Sequence, residues 1–140
     1  MEPAVVFHWK IDELSQALQI DQADVNEYFM DGRRMSFILE RRLKQHLRAN
    51  TPTNTNEVYD LILKDSEYVE VRCVTKSGVY FCPSNMVGSG RTFNEDGFLE
   101  KLSVVSGYLI GDITQFPDVP VWSIASEQVQ QWWEGGRLGS

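Results

Sequence analysis

A chain of 140 residues, 42% hydrophobic and 24% charged, is long enough for one domain with its own core and too short for two of ordinary size. Its net charge of −7 argues against a protein that coats nucleic acid over its whole surface. No apolar run approaches the ~18 residues a membrane-spanning helix needs. The opening "MEPAVVFHWKIDEL" lacks the basic and apolar regions of a secretory signal, so a cytoplasmic setting with no membrane partner is expected.

"IDELSQAL" and "DQADVNEYF" read as two short helices split by a turn at Gln19–Asp21, with Asp12 and Asp21 as N-caps. A third helix is expected over 33–48, where Ile38, Leu39, Leu43 and Leu47 recur at helical spacing and face a core. The polar "ANTPTNTN" then forms a loop, because Pro52 cannot continue the helix. Strands follow at about 57–63, 68–75 and 79–83. "FNEDGFLEKLSVVSG" reads as a helix capped by Asn94, with Phe98, Leu102 and Val105 on one face. Two more strands, "YLIGDI" and "VPVWSIA", precede a last helix from near Ser126 that presents Val129, Trp132 and Trp133 together. The chain thus divides into a helical cap at 1–32, an α-β-β-β-α-β-β-α core at 33–134, and a tail at 135–140. The expected class is α/β (α+β), a mixed central sheet flanked by helices on both faces.

Charge is unevenly spread. Residues 33–48 hold six of the thirteen Lys and Arg residues and one acid, Glu40. Arg33, Arg34, Arg41, Arg42 and Lys44 are candidates for a phosphate-facing patch, with Arg91 in the "GSGR" loop beside them. Cys73 and Cys82 are too few for a zinc site or a disulfide framework, and read as reduced, packed thiols. They face each other if Ser77–Gly78 is a two-residue loop; a bulge at Gly78 sets Cys73 opposite Phe81. His8 and His46 make no zinc pattern.

Within "YDLILKDSEYVEVR", Glu70 and Arg72 share one face of a strand while Val69, Val71 and Cys73 point the other way. Asp60 opens the preceding strand. In element order and in these residues the chain resembles the PD-(D/E)xK nuclease superfamily, with the restriction-endonuclease-like fold. Asp60, Glu70-Val71-Arg72 and the helix residue Glu40 fall at the motif positions of that family. The resemblance covers about 33–133, and the motif itself is only a few residues long. It implies Mg²⁺ (or Mn²⁺) held by Asp60, Glu70, the Val71 carbonyl and Glu40, hydrolysis of DNA phosphodiesters, and frequent dimerisation. Hard oxygen ligands suit such a cation, which neutralises phosphate charge and activates water. Arg72 stands where the family has lysine, and a guanidinium cannot take a proton from water. Lys101 and Arg91 are therefore the candidates for a displaced basic residue. Tyr59 replaces the name-giving proline.

The site reading makes one geometric demand. A plain two-residue turn at Asp65–Ser66 sets Asp60 opposite Val71, on the wrong face. A bulge, or a three- or five-residue loop, sets it beside Glu70 or Arg72.

Plainer readings stand beside this one. Glu70 and Arg72 also read as a charged pair on an exposed face, Glu40 as an i,i+4 partner of Lys44, and the basic helix as a solvated surface. Asp112 reads as a strand-end acid that can border the site. Two other function classes remain open: a catalytically degenerate nuclease-like domain that binds nucleic acid or protein, and a DNA-binding regulator. The second rests on "LSQALQIDQADVNEYF", which resembles a helix-turn-helix, although Asp21, Asp24, Glu27 and Asp31 would repel a duplex.

Overall fold

The computed structural model describes residues 1–53, 59–78 and 105–134, the side chains of 133 and 134 excepted. Among them the chain forms β1 (Val5–His8), α1 (Ile11–Leu18), α2 (Gln22–Phe29), α3 (Gly32–Leu47), β2 (Leu61–Ile62), β3 (Tyr68–Val74), β4 (Gly107–Asp112), a 3₁₀ turn (Ile113–Gln115), β5 (Asp118–Ala125) and α4 (Ser126–Glu134). The five strands make one mixed sheet in the order β1-β5-β4-β3-β2. Only β3 and β4 run parallel; the other neighbours are antiparallel. This is the expected α+β class. The third expected strand, the helix at 94–105 up to residue 104, Cys82, Arg91 and Lys101 lie outside the described residues.

Helix α3 shows how the pattern becomes packing. Met35, Leu39 and Leu43 lie four residues apart and are buried, while Ile38 and Leu47 border the same cluster. The helix is capped by Asp31, whose carboxylate accepts from the Arg33 and Arg34 N–H groups at 3.0 and 3.1 Å. It ends on Arg48, in the left-handed conformation at φ 52°. At the earlier helices the caps differ from expectation. Lys10 precedes α1 and Asp12 falls inside its first turn; Asp21 is at the N-cap of α2, but its side chain makes no capping bond. Charge at the end of the helix dipole favours acids in a first turn even without that bond.

The sheet core is built on both faces of β3 and β4. Val69, Val71 and Cys73 join Leu39, Leu43, Val119 and Val121 in the cluster under α3. Tyr108, Ile110 and Val129 are buried too, on the side that α4 covers. Strand β4 is buried from Gly107 to Gly111, as a central strand with cover on both faces must be. Gly111 is required by close approach: a Cβ there would lie 2.6 Å from Leu39 Cδ2 and 3.3 Å from Val119 Cγ1.

One element was not expected from the sequence. β1 pairs with β5, Val5 opposite Val121 and Phe7 opposite Val119, so the N-terminal segment supplies an edge strand. Phe7, Val25 and Phe29 enter the common core, and α1 and α2 pack beside it. Four residues were too few to signal a strand by alternation alone. No helix among the described residues is long and apolar enough to cross a membrane.

Two substitutions test this packing. Leu39→Ala should cost about 2–5 kcal/mol in urea unfolding, because Leu39 is fully buried. Gly111→Val should cost about 1–3 kcal/mol by overpacking, and partial recovery in the Leu39→Ala background would place the clash between those two residues.

Candidate functional site

The β2–β3 hairpin decides where Asp60 goes. Leu61 pairs with Val69 and Ile62 with Tyr68, and the ends close with Leu63 N–H donating to Glu67 O at 2.8 Å. Lys64, Asp65 and Ser66 make a three-residue loop, with Ser66 at φ 66° and its N–H on Leu63 O. This is the register that places Asp60 with Glu70. Strand β2 is only two residues long, and just before it the side chain of Asp60 takes over the edge of β3. The Asp60 N–H donates to Val69 O at 3.0 Å, and its Oδ2 accepts from Val71 N–H at 2.8 Å. A carboxylate thus satisfies a donor that a longer strand would have bonded.

Glu70 and Arg72 share the opposite face from Val71, as the period of a strand requires. They are not an exposed pair: their side chains are 4% and 19% accessible. One guanidinium nitrogen gathers the site. Arg72 Nη1 contacts Glu70 Oε1, donates to Val71 O at 2.9 Å and stands 3.7 Å from Asp60 Oδ2. All three groups expected to hold a cation on this hairpin therefore face the same nitrogen. Across the parallel ladder Glu70 lies opposite Tyr108, a residue 1% exposed that no pattern in the sequence singles out. Parallel pairing has no local signature, so nothing short of the fold could find it.

Glu40, on α3, feels the charges of this cluster. Its carboxyl is pushed up to about 7 by burial, with repulsion from Asp60 and Glu70 adding and Arg41 and Arg72 opposing. Among the described residues it has no ion pair with Lys44, so the i,i+4 reading gives way to one in which Glu40 answers to the hairpin. Helix and hairpin converge because Ser36, one turn earlier on α3, lies against Cys73 at 3.7 Å. Burial raises the Cys73 thiol to about 11, which leaves it an unreactive thiol at neutral pH. The turn after Cys73 is Lys76–Ser77, with Thr75 paired to Gly78, not a loop at Ser77–Gly78; Gly78 is at φ 97°, and the partner expected opposite Cys73 lies outside the described residues.

Two oxygens of carboxylate, a peptide carbonyl and a neighbouring carboxyl are the donor types a hard divalent cation prefers. In type and direction the residues fit; for an ion to enter, the Arg72 guanidinium has to leave their centre. Among the described residues no three His, Cys, Asp or Glu side chains lie close enough together to hold a metal, so Glu40 is not grouped with Asp60 and Glu70 in this arrangement.

The remaining candidates divide cleanly. Arg33, Arg34, Arg41 and Arg42 are exposed or partly exposed, and Lys44 is partly so. Arg42 lies over the Phe7 ring at 4.5 Å, away from the others. Asp112 does not border the site. It caps the 3₁₀ turn, where burial would raise its carboxyl but bonds from Thr114 and Gln115 hold it low. The exposed side of α2 carries Asp21, Asp24 and Glu27, an acidic surface. The chain matches no protein family, no curated protein and no solved structure to which it was compared.

The electrostatics yield two expected outcomes. Arg72→Met leaves Glu70 buried without its cation and should cost about 3–5 kcal/mol, most of it regained in Arg72→Met/Glu70→Gln by urea unfolding. A carboxyl with a raised folded pKa favours the folded chain in acid and loses that advantage as pH rises, here between 4.5 and about 7. The stability of the parent relative to Glu40→Gln should therefore fall across that window, with the variant the more stable at alkaline pH.

Proposed function

We propose that this chain is a small metal-dependent nuclease of the PD-(D/E)xK type, hydrolysing phosphodiester bonds of nucleic acid, DNA first. The observation that carries the reading is the convergence of Asp60, Glu70 and the Val71 carbonyl on one guanidinium nitrogen at the edge of β3, within the electrostatic reach of Glu40 on α3. Such a cluster of repelling acids costs folding energy, and a function that uses it is the economical explanation.

Asp60, Glu70 and the Val71 carbonyl would hold Mg²⁺ or Mn²⁺. When bound, such an ion lowers the pKa of water and offsets charge on the phosphate. Arg72, released from the carboxylates, stays protonated and serves the phosphate oxygens as donor and counter-charge. Glu40, whose carboxyl burial raises to about 7, is the carboxyl suited to take the proton of the attacking water. The water oxygen bonds to phosphorus as the bond to the leaving sugar oxygen breaks. The basic outer side of α3 supports a polyanionic substrate beside Glu40.

A second reading has its own support. The guanidinium already occupies the position of the cation, which is what a degenerate domain that binds phosphate without cutting it would retain. Oligonucleotide cleavage with Mg²⁺ or Mn²⁺ separates the two. The nuclease reading expects Asp60→Ala and Glu70→Ala each to lower the rate about 100-fold or more. It also expects the parent rate to climb with pH through about 7, and Glu40→Gln to lose that rise. Cleavage by neither parent nor Arg72→Lys, with salt-dependent binding intact, would establish the degenerate domain instead.

A further inference from the structure

The side of α3 turned away from the core carries more than charge. Phe37 is 61% exposed, and the Arg41 guanidinium lies over its ring at 4.8 Å. Tyr28, at the end of α2, is 41% exposed and has Arg34 over its ring at 5.0 Å. A single exposed aromatic residue is ordinary. Two of them, each paired with an arginine and brought onto one surface from different helices, form a pattern. Arg34 and Arg41 are seven residues apart, so the two pairs are spaced by about 10 Å along the helix. Arg33 and Lys44 fall within the same turn-to-turn stripe as Phe37 by helical spacing; neither side chain is in an ion pair among the described residues, although the Asp31 carboxylate caps the start of the stripe. Glu40 is one turn beyond Phe37, at the border of the stripe.

We infer that this surface is a track for single-stranded nucleic acid, on which bases stack against Phe37–Arg41 and Tyr28–Arg34 while Arg33 and Lys44 meet phosphates. Aromatic faces carrying guanidinium groups, set in a row among further cations, are what a strand with unstacked bases engages. A duplex keeps its bases stacked on each other and offers the rings nothing but its edges and backbone. An acidic peptide would use the charges but leave the rings idle. Among the described residues the positive charge of α3 stands out on a chain whose net charge is −7, while Asp24 and Glu27 leave the neighbouring side of α2 acidic. Glu40 flanks the track between Phe37 and Lys44, on the side where a strand would pass Asp60 and Glu70. The inference takes the identity of the polyanion from the nucleic-acid reading above, and needs no cleavage.

The test is fluorescence anisotropy in EDTA, so that catalysis plays no part. The probes are a labelled oligothymidylate, its duplex with oligoadenylate, and labelled polyglutamate. Phe37→Ala should weaken single-strand binding about tenfold, and Tyr28→Ala by a similar factor, with the duplex changed by no more than about twofold. Phe37→Trp should restore the single-strand affinity. Arg33→Gln/Lys44→Gln should weaken both nucleic acids and flatten the salt dependence by about 0.7 for each phosphate of the single strand no longer neutralised. Unchanged oligothymidylate binding by Phe37→Ala overturns the track. So does polyglutamate binding as tight as oligothymidylate, which would assign the face to an acidic protein. Failure here with Asp60-dependent cleavage intact removes the track alone; binding intact with no cleavage in any metal removes the nuclease alone.

Discussion

A carboxylate that is 3% exposed can be tolerated only if a cation answers it, and in this fold the cation is Arg72. Much of the site's arrangement follows from that pairing. The guanidinium is short of solvent, so its donors must be used; Glu70, the Val71 carbonyl and the nearby Asp60 use them. Those same acceptors are what a divalent ion would seek. The fold therefore holds these acceptors in position with an internal positive charge, and under the proposed nuclease reading activity would turn on whether an ion with two charges can displace a tethered group with one.

The short strand β2 is a second constraint of the same kind. Because it begins only at Leu61, the N–H of Val71 has no strand partner there, and Asp60 supplies one from its side chain. The bond fixes one oxygen of Asp60 at the sheet edge, where both faces of the sheet come within reach. Glu70 shares one face with Arg72, while Glu40 belongs to the helix that covers the other. Burial raises the Glu40 carboxyl first, and the like charges of Asp60 and Glu70 add to it. A carboxyl in those surroundings can hold or release a proton near neutrality, which an isolated surface glutamate does not do.

Helix α3 joins the two scales of the molecule. Its inner side, Met35, Leu39 and Leu43, holds the sheet, and the packing of Leu39 on Gly111 sets how close the helix lies. That closeness sets Glu40 within the electrostatic reach of Asp60. Its outer side carries Phe37 and most of the basic residues of the segment. One helix therefore fixes the core, contributes an acid to the cluster and presents a cationic surface, so a change in its rotation or depth would disturb all three together.

Local chemistry settled a good part of this protein from the amino-acid order. The periodicity of Ile38 to Leu47 and the alternation of Val69 to Cys73 are short-range patterns, and both gave their elements and their buried faces to within a residue or two. The face shared by Glu70 and Arg72 followed from the same alternation. What the order of residues left open was every relation between segments: whether a three-residue loop or a plain turn set Asp60, that β1 would join β5, that Tyr108 would lie across from Glu70, and that Glu40 would face acids rather than Lys44. Such relations depend on strand register and on helix–sheet packing, which are decided by burial summed over the whole core. A side chain's neighbours along the chain constrain its direction; its neighbours in space exist only after the chain has closed.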